Sequence, residues 1–424
     1  MSIIGTTLTW GEDRPVEIPA SERRRHVYVI GQTGTGKSTL LRNLILQDID
    51  EGRGVGFIDP HGDVAEELLD CIPPHRTDHV AYFNPADLEY PVGLNPLQKT
   101  HRDMHHLVVD SIISTLKSIW GDVWGTGRMQ YVMHHTLSAL LFYDHATLLG
   151  VNRLLSDPQF RRKILRKVKD PIVEAFWTRE FAPLDKKEQA LWASPIQNKV
   201  GQFTTSPLMR NILGQTTSSV SLRKTMDEGR IFVANLSKGK IGEENSRLLG
   251  SFLVAQFQQA ALQRANTGEE ERRDFHLYID EFQNFTTDSF RSILSEARKY
   301  RLCLTLGHQY ISQLPEALQS AIFGNVGTMI AFRVGYEDAE ILATHFHPSG
   351  PLAMAPHAFS DVAQYEAWAR VMRKGEISDP ILVKTLPPLA PTYRGRDRLI
   401  QNSRERFGIR REVMERKINQ WMGH

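Results

Sequence analysis

The segment that decides the fold is Gly31–Thr39, which reads Gly-Gln-Thr-Gly-Thr-Gly-Lys-Ser-Thr. It follows an apolar run at residues 27–30 and opens onto a largely apolar segment at 40–46, so it joins a predicted strand to a predicted helix. Its glycines permit backbone conformations closed to other residues, and the N–H groups of such a loop turn toward a triphosphate at a helix N-terminus. The segment therefore predicts a P-loop that binds ATP.

The residues of this loop have distinct expected roles. Lys37 is expected to reach the β- and γ-phosphates, and the hydroxyl of Ser38 is expected to ligate Mg²⁺. The predicted nucleotide-binding residues are Gly31, Thr33, Gly34, Thr35, Gly36, Lys37, Ser38 and Thr39.

The composition is that of an ordinary soluble protein with two or three structural units. Of 424 residues, 41% are hydrophobic and 24% are charged. Because 51 basic residues face 49 acidic ones, the net charge is only +2, and any basic surface must be local. Cys71 and Cys303 lie far apart without metal-ligand spacing, which favours reduced thiols in a cytosolic protein. No apolar run approaches the roughly 20 residues of a membrane span.

Apolar runs alternate with helical patterns along much of the chain, which predicts a parallel α/β sheet with helices on both faces. A later pair of runs, separated by Lys374-Gly375-Glu376, predicts a hairpin. The predicted strands are 27–30, 54–59, 80–83, 231–235, 276–280, 302–306 and 328–333, and those of the hairpin are 365–373 and 381–385.

The pattern changes between about residues 100 and 225, where apolar residues recur at helical spacing and prolines separate successive helices. We interpret this stretch as an all-helical insertion in the α/β core. The predicted division is therefore 1–99 for a lead-in and the first part of the core, 100–225 for the insertion, 226–390 for the second part of the core, and 391–424 for a linker and a charged helix.

A second diagnostic pattern is the apolar strand that ends in Asp280-Glu281. A P-loop ATPase needs such a pair opposite its glycine loop. Asp280 is expected to hold Mg²⁺ through the water shell of the ion, and Glu281 to polarise the attacking water. The alternative is an acidic strand end that caps the next turn.

Two further residues fit the same chemistry. Gln309 follows the strand 302–306, where a neutral amide can contact the γ-phosphate, although a surface glutamine would look the same. Arg298 ends a predicted helix just before that strand. Its guanidinium could enter the ATP site of a neighbouring subunit and raise the rate of hydrolysis there by about 10³-fold or more. The alternative is that Arg298 is simply an arginine at a helix C-terminus, where the helix dipole favours it. Arg301 is a second candidate for the role in the neighbouring site.

Together these motifs resemble the HerA/FtsK superfamily of P-loop DNA pumps, with the closest likeness to coupling proteins of conjugative type IV secretion. The segments that carry the resemblance are the P-loop, residues 57–63 (Phe-Ile-Asp-Pro-His-Gly-Asp), Asp280-Glu281, 297–301, 308–309, 312–314, 235–240 and 332–335.

The resemblance implies a RecA-like motor core with an inserted all-helical domain, which forms a hexameric ring and moves DNA through its central channel. It assigns the P-loop roles to Lys37 and Ser38 and the metal and water roles to Asp280 and Glu281. It also makes Gln309 the γ-phosphate sensor and Arg298 the arginine that acts on the next subunit. It further suggests that Lys238 and Lys240, in a glycine-bearing loop, grip DNA phosphates, with a solvated turn as the alternative.

We expect the sequence to depart from the proteins it resembles before the motor core. The segment before residue 26 predicts neither the N-terminal transmembrane helices of membrane-bound coupling proteins nor the N-terminal β-barrel of HerA helicases. We therefore expect a cytoplasmic protein that reaches the inner face of a membrane only through partners, such as membrane-bound secretion proteins or a relaxase.

Several alternatives stay open at this point. Asp59, His61 and Asp63 end a strand and are expected either near the nucleotide or as capping residues of a turn. The cargo is DNA in the leading hypothesis, and protein or a viral genome in the second. A third hypothesis is an ATP-binding scaffold that does not pump, which the presence of both Glu281 and Arg298 disfavours.

Overall fold

The computed structural model describes residues 1–8, 13–125, 127–287, 290–346, 354–391 and 393–423. Most strands join one eleven-stranded sheet. The strands are β1 (Ser2–Thr7), β2 (Pro15–Ile18), β3 (Val27–Ile30), β4 (Gly54–Asp59), β5 (Val80–Phe83), β6 (Ile231–Asn235), β7 (Phe275–Ile279), β8 (Leu302–His308), β9 (Thr328–Ala331), β10 (Glu366–Arg370), β11 (Met372–Arg373), β12 (Glu376–Ile377) and β13 (Ile381–Thr385).

The α-helices begin directly after the P-loop. They are α1 (Lys37–Asp50), α2 (Asp63–Leu69), α3 (His105–Trp120), α4 (Gly127–Leu140), α5 (Leu149–Ser156), α6 (Pro158–Leu165), α7 (Pro171–Ala175), α8 (Lys186–Thr205), α9 (Pro207–Leu213), α10 (Leu222–Asp227), α11 (Lys238–Ile241), α12 (Glu243–Leu262), α13 (Phe290–Glu296), α14 (Glu316–Asn325), α15 (Tyr336–Phe346), α16 (His357–Ser360), α17 (Arg396–Phe407) and α18 (Arg411–Met422). None of the helices in these described ranges has the length and apolarity needed to cross a membrane.

The sheet has a parallel centre and an antiparallel edge. Its strand order is β2-β1-β13-β10-β9-β3-β8-β7-β4-β6-β5, and the pairs from β9 through β6 are parallel. Every residue of β3, β4, β6, β7 and β8 is buried, as expected for strands covered on both faces. The parallel sheet that the sequence predicted is thus confirmed for the centre. The sequence did not predict the antiparallel edge, where β10, β13, β1 and β2 pair.

The order of the central strands brings the predicted motifs together. Strand β8 lies between β3 and β7, with Ile30 opposite His308 and Ile279 opposite Leu306. The P-loop, Gln309 and Asp280 therefore all follow the carboxyl ends of adjacent parallel strands, which is the edge where such sheets bind ligands. The predicted hairpin is confirmed as the antiparallel pair β10 and β13.

The chain divides into two compact units. The first holds most of the sheet and consists of 1–82, 222–237 and 257–402. The second is helical and consists of 83–221, 238–256 and 403–424. Within the described residues, no strand lies between β5 and β6, in agreement with the predicted all-helical insertion.

A fully buried ion pair braces the first unit. Arg23 donates to both carboxylate oxygens of Asp48 at 2.7 and 2.8 Å, and neither side chain is exposed. The other end of the guanidinium donates to the hydroxyl of Tyr278 at 2.7 Å and to that of Thr305 at 3.3 Å. Burial raises the pKa of Asp48, but Arg23, His276, Tyr278 and Arg53 together outweigh burial and lower that pKa to about 2. These contacts tie helix α1, which follows the P-loop, to strand β7, which precedes Asp280, and to strand β8, which precedes Gln309.

The helical unit is completed by the C-terminal helix. Met414 and Ile418 of α18 form a small apolar cluster with Leu149 of α5. Trp421 adds an edge-to-face contact with Phe160 and donates its indole N–H to the carbonyl of residue 145 at 2.9 Å. Residues more than 250 positions apart in sequence therefore share one core.

Candidate nucleotide site

A cavity of about 300 Å³ opens at the carboxyl ends of the central strands. It lies within the first unit, and both the P-loop and the segments after β7 and β8 contribute to it. The lining residues are Thr33, Gly34, Gly36, Lys37, Ser38, Thr39, His61, Glu281, Gln309 and Tyr365.

The glycines of the P-loop are required by its backbone and by its neighbours. Gly34 and Gly36 adopt φ values of +79° and +119°, which favour glycine. At Gly31 the difficulty is contact, since a Cβ there would lie 2.5 Å from the Cβ of Phe332. Helix α1 then begins at Lys37, and its cap residue Gly36 has no side chain to satisfy the first N–H groups. The residues that carry those groups line the cavity, as a phosphate cradle requires.

Lys37 is a buried cation at the wall of this cavity, with 5% of its surface exposed. Its ammonium donates to the carbonyl oxygen of Gln32 at 3.2 Å. Burial lowers its pKa, although Glu281 and Asp280 act in the opposite direction. A buried ammonium that meets a neutral carbonyl is poorly compensated, so an anionic phosphate would stabilise it.

Ser38 and Asp280 come together from separate motifs. The Ser38 hydroxyl donates to Oδ2 of Asp280 at 3.2 Å. Gly307 of β8 makes room for this carboxylate, because a Cβ at that position would lie 2.7 Å from Oδ1 of Asp280. Burial, together with the charges of Glu281 and Asp59, raises the pKa of Asp280 to about 6. A hydroxyl and a carboxylate that lie close to two further carboxylates suit a hard divalent cation. A bound cation would also favour the ionised form of Asp280.

Glu281 has a strained backbone and a fixed side chain. Its φ of 46° and ψ of 48° place it in the left-handed region, which is uncommon for a residue with a side chain. One carboxylate oxygen accepts from the amide of Gln309 at 2.6 Å, and the other accepts from that of Gln283 at 2.6 Å. The structure thus brings Glu281 and Gln309, two of the predicted site residues, into direct contact. It adds Gln283, which sequence reasoning missed.

We expect replacement of Asp280 by asparagine to stabilise the nucleotide-free protein at neutral pH. Because the folded-state pKa of about 6 lies above the ordinary 3.8, the folded state holds a proton that the unfolded state releases between these two values. Stability therefore falls as pH rises through this window. Asp280→Asn should raise the free energy of unfolding by about 2 to 3 kcal/mol at pH 7.5, and by little near pH 4.

The measurement is urea unfolding at both pH values without nucleotide. Asp13→Asn, at an exposed position, is the matched control and should change stability at neither pH. A loss of stability in Asp280→Asn at pH 7.5 would contradict the prediction.

The sequence left two roles open for the residues at the end of β4 and just after it, which could lie near the nucleotide or cap a turn. Asp59 is a capping residue, because its carboxylate accepts from the N–H groups of His61 and Ala65, each at 2.9 Å. His61 lines the cavity. Asp63 is exposed at the start of α2.

The outer wall of the cavity comes from a segment that sequence reasoning missed. Tyr365 donates its backbone N–H to the carbonyl of Thr35 at 3.0 Å, and Gln364 donates its side-chain amide to the carbonyl of Gly34 at 3.0 Å. These residues lie some 330 positions after the P-loop. No local sequence pattern predicts that Gln364 and Tyr365 contact the P-loop, because their placement depends on the long-range pairing of β9 and β10.

Arg298 and Arg301 lie at the other end of β8 from Gln309. Arg298 is exposed in a 3-10 helix at 297–300, and Arg301 follows it with a φ of 58°. The seven residues of β8 separate them from the carboxyl end of the sheet, a distance of roughly 20 Å. The structure therefore does not bring either arginine to the cavity of its own chain, and both line a second cavity instead.

Lys238 and Lys240 are not in a loop, and that part of the prediction was wrong. They form the one-turn helix α11, with Lys240 exposed and Lys238 partly buried. The ammonium of Lys238 lies 3.8 Å from a carboxylate oxygen of Glu243.

Comparison with solved structures shows the fold. A structure of the plasmid coupling protein TrwB in complex with the non-hydrolysable GTP analogue GDPNP matches with a TM-score of 0.64 and 15% identity, over 91% of this chain and 94% of that one. TrwB in complex with ADP and Mg²⁺ matches with a TM-score of 0.61 and 15% identity, over 92% and 97%. VirB4 of Thermoanaerobacter pseudethanolicus matches with a TM-score of 0.63 and 14% identity, over 91% and 96%. The predicted RecA-like P-loop fold is thereby confirmed.

Comparison of sequences shows the family. No curated protein matches the chain. A family model described as the TraM recognition site of TraD and TraG matches residues 274–344, the segment that contains Asp280, Glu281, Arg298 and Gln309. The model of the central domain of helicase HerA matches residues 4–256, which is more than half of the 424 residues. The chain therefore belongs to the family of the HerA helicase central domain.

Proposed function

We propose that the protein is an ATP-driven DNA translocase that forms a ring and acts in conjugative or type IV secretion-like DNA transfer. The observation that carries the proposal is a pair of contacts at the cavity. Ser38, which lines it, contacts the buried Asp280, and Glu281 and Gln309, which also line it, contact each other. Residues that would form a phosphate cradle, a pair of metal ligands and a general base thus lie together. This is the set of groups that phosphoryl transfer to water requires.

The residues of the cavity divide the work of hydrolysis. Lys37 and the first N–H groups of α1 bind the triphosphate, and Ser38 and Asp280 hold Mg²⁺. The ion, when bound, offsets negative charge on the phosphates. Glu281 orients the attacking water and accepts its proton. Gln309 holds Glu281 in the nucleotide-free state, and its amide is placed to exchange that contact for the γ-phosphate.

The relatives supply the choice of nucleotide, cargo and partners. TrwB is a conjugative coupling protein whose structures contain nucleotides, one of them with Mg²⁺, so we propose ATP and Mg²⁺ for this chain. DNA as the cargo follows from the same likeness. The TraM recognition model supports a partner protein that docks on residues 274–344. Such partners, including secretion proteins or a relaxase, would bring the motor to the inner face of a membrane.

The position of Arg298 supports a ring. This side chain lies at the far end of β8 from its own cavity, so we propose that it acts on the nucleotide of another subunit. Such a contact is head to tail, and head-to-tail contacts form a ring when the rotation between subunits closes. We propose six subunits, as the family resemblance implies. Lys238 and Lys240 remain our proposed DNA contacts, and their loss should lower the salt dependence of DNA binding.

The test is ATP hydrolysis with and without DNA at low salt. We expect duplex or single-stranded DNA to raise the rate several-fold. Lys37→Ala should lower it by about 100-fold or more, because it removes a preorganised charge from the phosphates. Lys187→Ala, at an exposed position of α8, is the charge-matched control and should behave like the wild type.

The outcomes separate the proposal from its alternatives. Equal rates with and without DNA would remove the DNA half of the proposal and favour a protein cargo. Tight ATP binding without any hydrolysis would favour a scaffold that does not pump. A Lys37→Ala variant as active as the wild type would show that hydrolysis takes place elsewhere.

A further inference from the structure

A cavity of about 520 Å³ lies in the helical unit and is lined by four histidines. Two of them begin helix α3, and the other two lie in α4. An arginine just before α3 and a lysine just before α7 line the same cavity. None of these residues belongs to the motifs that the proposed hydrolysis of ATP uses. The six residues are Arg102, His105, His106, His134, His135 and Lys169.

The fixed positive charges of this cavity are less compensated than its negative ones. Among the described residues, the side chains of Arg102 and Lys169 make no hydrogen bond or ion pair. Both carboxylates of the lining have partners. Asp170 caps α7 and accepts from two backbone N–H groups at 2.9 and 3.1 Å, and Asp103 lies 3.1 Å from a ring nitrogen of His101. An anion would therefore meet two cations that the chain itself leaves without a counter-charge.

The N-terminus of α3 adds a further positive potential. This helix has 16 residues, and its cap residue Met104 makes no side-chain hydrogen bond to the first N–H groups. Because the first two residues of α3 line the cavity, the positive end of the helix dipole lies beside it. Helix ends of this kind stabilise bound anions.

His135 is the buried histidine of the cavity lining, with 6% of its surface exposed. Its ring is held by aromatic neighbours, since it stacks on Phe176 at 4.3 Å between ring centroids and meets Tyr131 edge-on at 4.6 Å. Its Nδ1 atom is buried and has no hydrogen-bond partner in the described part of the chain. Buried polar atoms without a partner are uncommon. This second observation also indicates a ligand from outside the chain.

The surroundings of His135 disfavour its charged form. Burial lowers the pKa of His135, and His134 lowers it further, while Glu180 and Asp170 act in the opposite direction. A bound anion would reverse this balance and favour the protonated ring. The titratable and charged groups around the ring are Arg102, Asp103, His105 and His106 before and on α3, Tyr131 and His134 on α4, Lys169 and Asp170 before α7, and Glu180 after it.

His105 is under the same constraint. Burial lowers the pKa of His105 in spite of a hydrogen bond to the carbonyl of Thr100, and Arg102 and His101 lower it further. Two imidazoles of the lining are thus poised to gain a proton when negative charge arrives beside them.

The side chains of the cavity suit a compact oxyanion. Imidazoles also bind transition metals, but no three His, Cys, Asp or Glu side chains of the described residues are arranged to hold a metal ion. A nucleic acid backbone would need a track of cations with aromatic platforms along a surface. A guanidinium, an ammonium, imidazoles and a helix N-terminus around one cavity are instead the groups that bind a phosphate.

We infer that this cavity binds a phosphate monoester through Arg102, Lys169 and the histidines of its lining. The phosphate group is carried either by a phosphorylated small molecule or by the end of a nucleic acid strand, and the second source rests on the proposed DNA cargo. Since the anion favours the charged forms of His105 and His135, binding takes up protons. Affinity therefore rises as pH falls.

Calorimetric titration of the full chain with inorganic sulfate, whose charge is the same at pH 6.0 and 7.5, tests the inference. A Lys37→Ala background keeps the P-loop from competing for the anion. We expect about tenfold higher affinity at pH 6.0 than at pH 7.5. Arg102→Gln should weaken binding about tenfold at both pH values, because it removes a charged hydrogen bond. His135→Gln should remove most of the pH dependence, and His105→Gln, at a less buried position, should reduce it.

His75→Gln, at an exposed position, is the matched control and should bind like its parent. Urea unfolding shows which variants fold, and His105→Gln decides the pH dependence if His135→Gln does not. Affinity that Arg102→Gln leaves unchanged would place the anion elsewhere and overturn the inference. Equal affinity at the two pH values would also overturn it, as would failure of both sulfate and inorganic phosphate to bind at millimolar concentration.

A short DNA single strand, with and without a 5′-phosphate, separates the two sources. Tighter binding of the phosphorylated strand than of inorganic phosphate would identify a strand end, and equal binding would identify a small molecule. If both strands bind equally and Arg102→Gln weakens both, the cavity contacts the nucleic acid backbone and the inference is overturned. Absence of any DNA binding would count against the proposed cargo and leave the phosphate result intact.

Discussion

Glu281→Gln will bind ATP as tightly as the wild type and hydrolyse it about 10² to 10⁴ times more slowly. The substitution removes the carboxylate that accepts a proton from water, and general bases contribute about this factor. The new amide keeps the size of the side chain. Its two neighbours, Gln309 and Gln283, can rotate their own amides to continue hydrogen bonding, so the fold should be retained.

Single-turnover hydrolysis and retention of labelled ATP on a filter measure the two halves of this prediction. Glu340→Gln, at an exposed position of α15, is the control for the change of charge. Hydrolysis within threefold of the wild type would show that another group activates the water. Loss of ATP binding would show that Glu281 holds the structure of the site together rather than performing chemistry.

Arg298→Ala will lower the rate of hydrolysis by about 10³, and mixing it with Glu281→Gln will restore activity. The arginine of one subunit is expected to stabilise charge that develops in the site of the next. In an equal mixture, about one interface in four joins a site with an intact Glu281 to a neighbour with an intact Arg298, if subunits assemble head to tail at random. The mixture should therefore regain about a quarter of the wild-type rate.

A mixture as inactive as its components would show that each chain works alone. Arg291→Ala is the matched control and should leave the rate unchanged. Arg301→Ala decides between the two candidate arginines. Since Arg301 is largely buried near Glu270 and Arg298 is exposed, we expect Arg298 to carry the effect.

The sequence was sufficient to predict the centre of the fold. Strands β3, β7 and β8 are largely apolar segments, and they are followed by a glycine loop, an acidic pair and a glutamine respectively. Parallel strands buried on both faces require such segments. Adjacent strands then place the three motifs at one edge, so the contact of Ser38 with Asp280 follows from local patterns.

The rest depends on contacts that leave no local pattern. The edge strands β1 and β2 have no continuous apolar run, and they pair into the sheet because β13 returns from the other end of the core to pair with β1. From the sequence alone, Arg23 and Asp48 would be taken for surface charges, whereas the structure buries them as an ion pair. Tyr365 reaches the P-loop through another long-range pairing, that of β9 with β10. Lys238 and Lys240 flank a glycine, which suggested a loop, whereas α11 is helical.

The discontinuous make-up of the helical unit has a consequence for biosynthesis. Its first segment ends at residue 221, yet α18 supplies part of its core and spans residues 411–422. Residues 411–422 must therefore emerge from the ribosome before this unit can close, and until then the apolar face that includes Leu149 and Phe160 is uncovered. The expected result is chaperone dependence during translation that ends once α18 has emerged.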